Sequence, residues 1–390
     1  MKEHNDKRAE DILADDSLSE HLINGEISED GIPAEELLFA ENIRKALGAP
    51  KTPFNPDQKE FFGKSITDQI NRSKKNKAII RFSSAATILL LIGVSVFFQL
   101  QNRSGIVQFA SSLPAKPQSD FTQLMLPGEK VIQIETQESN IEYSASGEQI
   151  NIDTQKQIEQ TVESGNTAYN TVIVPYGKRT RITLSDNSTI WLNSGSKLVY
   201  PVCFDEDKRE VFLEGEAIFE VSPDMAHPFH VISHNLEIKV LGTVFDLSAY
   251  ADDSIINTVL EHGSVELIYK GTSMFGPTKE KMVPGMLAMY DPDSKSLVQK
   301  NVNTMDYTSW KDGYLNLDQK SLGSIVKKLS RYYNVSIEIE GQDLADETFT
   351  GHLDLRNTAL QVLELIAETM DIELKQADHQ IKIRKRQASG

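Results

Sequence analysis

Between Phe82 and Asn102 the chain runs 21 residues without a charge, FSSAATILLLIGVSVFFQLQN. As a helix rising 1.5 Å per residue, this stretch is about 31 Å long, the thickness of a bilayer's hydrocarbon core. A segment of this kind divides a chain into two parts that fold in different surroundings. The expectation is one transmembrane helix, placed over residues 79–101. Its flanks orient it: Arg72, Lys74, Lys75, Lys77 and Arg81 crowd the N-terminal side, against Arg103 and Lys116 on the other. The positive-inside rule then puts the N-terminus in the cytoplasm and the C-terminal 290 or so residues outside, about 20 residues of flank being what counts. A secretory signal peptide would have a shorter apolar core, about 7–15 residues, near the start of the chain and before a small-residue cleavage site.

Charge is distributed to match. The formal net charge is −17, and residues 1–70 hold 16 acidic against 8 basic side chains, so the basic footprint of a nucleic-acid binder is absent. One cysteine, Cys203, excludes an intramolecular disulfide framework and thiolate zinc sites. Its setting, YPVCF, reads as that of a small core residue rather than a nucleophile.

Before the crossing, residues 1–71 read as short helices. Ala14, Leu18 and Leu22 recur every four residues up to the stop signal Asn24-Gly25. Pro33 opens and Gly48 closes a second helix with Leu37, Ala40, Ile43 and Leu47 on one face. Phe62, Ile66 and Ile70 mark a third. About 50 helical residues bury little surface on their own. Such a unit either caps a partner with its apolar stripes or serves as a solvated acidic tether.

After the crossing, residues 103–120 are rich in Ser, Pro and Gln and read as a linker. Strand patterns then take over, with an all-β antiparallel body expected over 121–300. TQLMLPGEKVIQI (122–134) and TRITLSDNSTIWL (180–192) match as hairpins turning at Pro127-Gly128 and Asp186-Asn187. In EVFLEGEAIFEV, Val211, Leu213, Gly215, Ala217, Phe219 and Val221 alternate with an outer face of Glu210, Phe212, Glu214, Glu216, Ile218 and Glu220. Leu236, Ile238 and Val240, then Ile256, Thr258 and Leu260, then Val265 and Leu267 continue the alternation.

From Trp310 the pattern changes to β-α-β-β-α-β-β, an α+β domain expected over 307–386. Leu322, Ile325, Val326, Leu329 and Tyr333 form the stripe of its first helix, and Thr358 with Gln361 makes a capping box for its second. The fold class is therefore multi-domain: a small all-α cytoplasmic unit, one transmembrane helix, an all-β body and a C-terminal α+β domain.

Three arrangements could carry chemistry. Glu214 and Glu216 stand two apart on one strand face, as an acid and a nucleophile do in some glycoside hydrolases, but Glu210 and Glu220 extend the same row and favour a solvated face. His227, His230 and His234 suggest a metal set, yet only His230 and His234 share strand parity and no cysteine or obvious carboxylate completes a tetrahedron. Glycines stand singly between strands, so no nucleotide-binding loop is present. Catalytic, cofactor-binding and metal residues are therefore expected to be absent.

The middle of the chain resembles the periplasmic domain of the FecR family of transmembrane anti-sigma regulators. The matching blocks are VPYGKRTRITLSDNSTIWLNSGSKLVYP (174–201), REVFLEGEAIFEV (209–221), HPFHV (227–231), VLGTVFDLSAY (240–250) and LEHGSVEL (260–267). The tail resembles the C-terminal domain of the Bacteroidota branch through YTSWKDGYLNL, IVKKLSRYYNVSIEIE and FTGHLDLRNTALQVLELIAETMDIEL, with an element order like that of short secretin and TonB receptor signalling domains. Two positions depart from the family, Asp186-Asn187 for Asp-Gly and Phe245-Asp246 for Phe-Asn, and both are expected to be turn or strand-edge changes.

The resemblance implies a single-pass inner-membrane anti-sigma factor without enzymatic activity. It implies that the cytoplasmic helices sequester an extracytoplasmic-function sigma factor, for which Leu18, Leu22, Leu37, Ile43 and Leu47 are the candidate contacts. It implies further that the periplasmic part meets the signalling domain of a TonB-dependent outer-membrane receptor, and that a membrane-associated protease takes part in release. The alternative reading is a membrane-anchored periplasmic carbohydrate-active enzyme using Glu214 and Glu216. An oligomeric scaffold is a third.

Overall fold

A computed structural model describes residues 45, 90, 93, 104–114, 119–128, 130–153, 156–160, 168–273, 276–377 and 380–386. The chain divides into two compact units, Met1–Asn102 and Arg103–Gly390. In the first, Lys45, Leu90 and Gly93 are described, all helical. The expected cytoplasmic helices and the expected crossing otherwise lie outside the described residues. Among the described residues, no helix is long and apolar enough to cross a membrane.

The second unit is mostly β-structure. Its larger part is an 18-stranded network that resolves into two sheets sharing one long strand, Arg209–Glu220. In the first sheet, the front half of that strand lies between Ser196–Pro201 and Phe229–Ser233. Leu236–Val240, Val265–Tyr269 and Thr278–Met282 extend it on one side, and Tyr169–Val174, Thr122–Leu126 and Lys130–Ile134 on the other. In the second sheet the rear half lies between Thr189–Leu192 and Val244–Ala249. Ile256–His262, Met286–Asp291 and Ser296–Asn301 come next beyond one neighbour, and Arg179–Thr183, Glu138–Tyr143, Gln149–Ile152 and Lys156–Glu159 beyond the other.

The change of sheet happens at Gly215. Its φ is +107°, and a Cβ there would stand 2.4 Å from Ser196 Oγ and 2.6 Å from Ser196 Cα, so both the backbone and the space demand glycine. On either side of it, Leu213, Ala217, Phe219 and Val221 go into the core with Leu124, Ile182, Phe229, Ile238, Phe245 and Leu260.

Both expected hairpins form, with Leu124 opposite Ile132 and Ile182 opposite Ile190. Asn187 holds the second turn at φ +63°, a conformation asparagine tolerates, which is why it can replace glycine there. The body is not wholly antiparallel: Arg209–Glu220 pairs parallel with Phe229–Ser233, and Glu138–Tyr143 parallel with Arg179–Thr183. Cys203 is exposed rather than a core residue, its Sγ 3.2 Å from the Ser146 carbonyl oxygen, and what burial it has pushes the thiol pKa up.

The segment read as a linker contains a docked helix, Gly105–Ser112. Ile106 and Ala110 are fully buried against Val199 and Phe212, and Phe109 lies against the Tyr169 ring at 5.0 Å. Ile106, Phe109, Ala110 and Leu113 have helical spacing; the polar residues around them hid it. Phe212, expected on an open face, is covered by this helix.

After the short helix Met305–Thr308 and a 3-10 turn at Ser309–Asp312, the tail runs through strand Tyr314–Ser321, helix Leu322–Tyr333, strand Ser336–Ile339, helix Gln342–Asp346, strand Thr348–Asp354, helix Ala359–Thr369 and strands Ile372–Ala377 and Gln380–Lys385. This is the expected order with one short helix added. The strands form two small sheets, one pairing Tyr314–Ser321 with Thr348–Asp354 and the other placing Gln380–Lys385 between Ser336–Ile339 and Ile372–Ala377. Ser321 caps the first long helix by accepting from the Ser324 N–H, and Thr358 with Gln361 forms the full capping box. Leu322, Ile325, Leu329, Leu353, Leu363, Ile366 and Ile383 make the core between helices and sheets.

Candidate functional site

Leu18, Leu22, Leu37, Ile43 and Leu47 lie outside the described residues. The described candidates are the carboxylates of the long strand and the histidines beyond it.

The kink at Gly215 separates Glu214 from Glu216. Glu214 ion-pairs with Lys197 at 2.7 Å and lines a hollow of about 370 Å³ with Asp120, Tyr176 and Asn334. Glu216 turns into a different cavity, of about 440 Å³. The two carboxyl groups therefore do not converge on one substrate position, as paired glycosidase carboxylates must. The expectation of a solvated row also fails: Glu216 is 5% exposed and accepts a hydrogen bond from Asn193 Nδ2 at 2.6 Å.

The histidines have separate partners. His227 Nδ1 meets Asp224 at 2.7 Å, His230 Nδ1 meets Glu237 at 2.7 Å, and His234 occupies a turn at φ +48° instead of a strand. Among the described residues no group of three or more His, Cys, Asp or Glu could hold a metal ion.

The most heavily built site is the junction where the tail covers the outer face of the second sheet. Ile218, another residue expected on an open face, is fully buried among Trp310, Leu315 and their neighbours, with Trp191 packed against the same cluster. Trp191 donates to Glu220 at 3.3 Å, and Lys311 from the tail ion-pairs with the same carboxylate at 3.1 Å. Arg179 donates to the Trp310 carbonyl at 3.0 Å and lies 4.5 Å over the Tyr332 ring, while the Gly177 N–H donates to the Arg331 carbonyl at 3.0 Å.

Arg331 is the centre of this junction. It is 7% exposed; its guanidinium stacks 3.7 Å over the Tyr250 ring and donates to Asp252 at 2.7 Å and to Asp253 at 2.8 and 3.0 Å. Lys327, one turn earlier, reaches Asp253 at 2.5 Å and Asp252 at 3.3 Å. Burial opposes the charge on Arg331, but the hydrogen bond to Asp253 and the nearby negative groups more than offset it and hold its pKa above the ordinary value. Burial likewise works against the Asp253 charge, and the Arg331 and Lys327 hydrogen bonds outweigh it, leaving its pKa lowered. Tyr250 donates to the Ser194 carbonyl at 2.8 Å and is pushed well up by burial. Fork-shaped donation to two carboxylates, with the flat face on an aromatic ring, is a job for arginine rather than lysine.

Asp246 sits under the same cover. It was expected at a turn or strand edge, and it instead occupies the middle of Val244–Ala249, opposite Ile218 on one side and Val259 on the other. None of these contacts was named from sequence. The Asp252-Asp253 pair after a strand and an arginine on an amphipathic helix are visible as residues, but nothing in their spacing says that they meet.

Comparison with known proteins matches residues 170–266 to the family model described as FecR protein, and residues 314–383 to that described as FecR, C-terminal. Two crystal structures of a candidate anti-sigma factor from Parabacteroides distasonis ATCC 8503, at 2.50 and 1.65 Å resolution, are similar to the chain. They are 26% and 27% identical, each with a TM-score of 0.51, and the alignments cover 56% of this chain and 100% and 99% of theirs. No curated protein matches the chain.

Proposed function

The chain is a FecR-family protein over residues 170–266 and 314–383, and from that premise we propose that it is a non-enzymatic anti-sigma factor and transmembrane signal transducer. The observation that carries the proposal is the pair of family matches, on the body and on the tail, supported by similarity to a candidate anti-sigma factor over that protein's whole length.

In this reading residues 1–71 lie in the cytoplasm and hold an extracytoplasmic-function sigma factor, with Leu18, Leu22, Leu37, Ile43 and Leu47 as apolar contacts. The surrounding acidic field complements the basic surface a sigma factor offers to promoter DNA or polymerase. Residues 79–101 cross the inner membrane, and the body and tail lie in the periplasm, where a TonB-dependent receptor's signalling domain contacts them. A membrane-associated protease completes release. The junction gives this scheme a mechanical part: a tail seated on the body through Arg331, Arg179 and Lys311 presents both to a partner together. The carbohydrate-active alternative is not favoured, because Glu214 and Glu216 face different hollows.

Transcription tests the proposal. Deleting the gene should change expression from promoters of one extracytoplasmic-function sigma factor several-fold, upward for an inhibitor and downward where the protein also assists activation. Unchanged expression from every such promoter would contradict it.

A further inference from the structure

Asp246 is 1% exposed, and neither of its carboxyl oxygens has a well-formed hydrogen bond. A buried carboxylate in that condition is costly, whereas a buried neutral carboxyl is much less so. Its surroundings on every side are identifiable. On the adjacent strand, Glu216 is itself buried, two positions along from the Asp246–Ile218 pairing and so on the same face of the sheet. From the tail come Lys328, whose charge acts on Asp246 from the helix Leu322–Tyr333, and Trp310, whose indole N–H is also without a well-formed partner. Val259 is opposite on the other neighbouring strand. Farther along the same outer face, Glu220 is neutralised by Lys311, and Arg331 is committed to Asp252 and Asp253.

We propose that docking of the C-terminal α+β domain onto the β body is proton-linked, with Asp246 neutral in the docked state and its ionisation loosening the junction. The proton balance is simple: the docked carboxyl holds one proton, and on ionisation that proton passes to solvent while the carboxylate stays on the chain. Separation of the tail admits water to the outer face of the sheet, and that water solvates the anion, which the docked cover of Trp310 and its neighbours keeps from solvent. Burial, and after it the Glu216 charge, push the Asp246 pKa well up, against a smaller pull downward from Lys328 and the Trp310 side chain.

That upward shift sets the sign. A carboxyl whose pKa is raised in the docked state contributes fully below its undocked value, about 4, and loses that contribution as pH rises through the docked value. Across that window the docking constant falls by up to about tenfold per pH unit for the single proton involved.

The chain supplies its own probe. It has two tryptophans, Trp191 and Trp310, and both pack in this junction. Acrylamide quenching of the full chain in mild detergent should rise by at least about twofold between pH 5 and pH 9, one proton being enough for that change. Asp246→Asn should abolish the rise and stay quenching-resistant throughout. Glu216→Gln, which removes the neighbouring charge, should move the midpoint to lower pH and provides a second variant should the first fold poorly. Quenching that is flat with pH in the unaltered chain, a rise that persists in Asp246→Asn, or a rise matched by loss of the far-ultraviolet β signal would overturn the proposal.

Discussion

Replacing Phe219 with alanine should lower the unfolding free energy by about 3–5 kcal/mol, the range for truncating a fully buried phenylalanine. Phe219 stands on the long strand just after its change of sheet, and its ring stacks on Phe245 at 5.0 Å with an 11° tilt and meets Phe229 edge-on at 6.3 Å. The strand belongs to both sheets, so a void at this point is lined by residues from each. Dense packing around it limits collapse into the space left. At about 2–4 °C per kcal/mol for a body of this size, the melting transition should fall by about 10 °C. Thermal unfolding of the full chain monitored by circular dichroism measures it; a loss under about 1 kcal/mol would show that the aromatic cluster relaxes into the void.

The second largest effect is expected at the junction. Arg331→Ala should weaken seating of the tail by about 2–3 kcal/mol, below the 3–5 of a fully buried ion pair, because Asp252 is 57% exposed and Asp253 24% and water can take over part of their solvation. Loss of the stacking on Tyr250 contributes about 1 kcal/mol of that. Arg331→Lys should recover little, since an ammonium cannot fork to two carboxylates while lying flat on a ring. Limited proteolysis between body and tail, around residues 300–313, reads the seating directly; cleavage no faster than in the unaltered chain would contradict the prediction.

Asp253 and Asp246 give this junction opposite pH slopes. The Asp253 pKa is lowered by Arg331 and Lys327, so its contribution is present above about 4 and is lost as pH falls through its docked value. The Asp246 contribution fades in the other direction. Seating is therefore expected to be tightest between the two windows, weakened in strong acid through Asp253 and at higher pH through Asp246.

Much of the β body was legible because its strands alternate cleanly. Leu236, Ile238 and Val240 face inward as their spacing required, as do Ile256, Thr258 and Leu260. Local signals were equally readable in the tail, where the Thr358 and Gln361 capping box needs only three residues of separation. What alternation does not reveal is the cover over an outward face. Phe212 and Ile218 belong to the outer face by parity, yet one is buried under a helix about a hundred residues earlier in the chain and the other under a domain about ninety residues later. Glu216 was assigned to solvent for the same reason. The kink at Gly215 was hidden too, because a glycine on an inward position reads as a small core residue until its φ is known. Arg331 and Asp253 are 78 residues apart, and no periodicity links them.

The central claim is that this chain holds a sigma factor, and the most direct measurement is co-purification. The full chain, tagged at its C-terminus and solubilised from its own host in mild detergent, is captured, and retained proteins are identified by mass spectrometry beside a Leu22→Asp variant. The account predicts one extracytoplasmic-function sigma factor with the unaltered chain and its loss with the variant. A protein whose β spectrum is intact and which retains no sigma factor would contradict it.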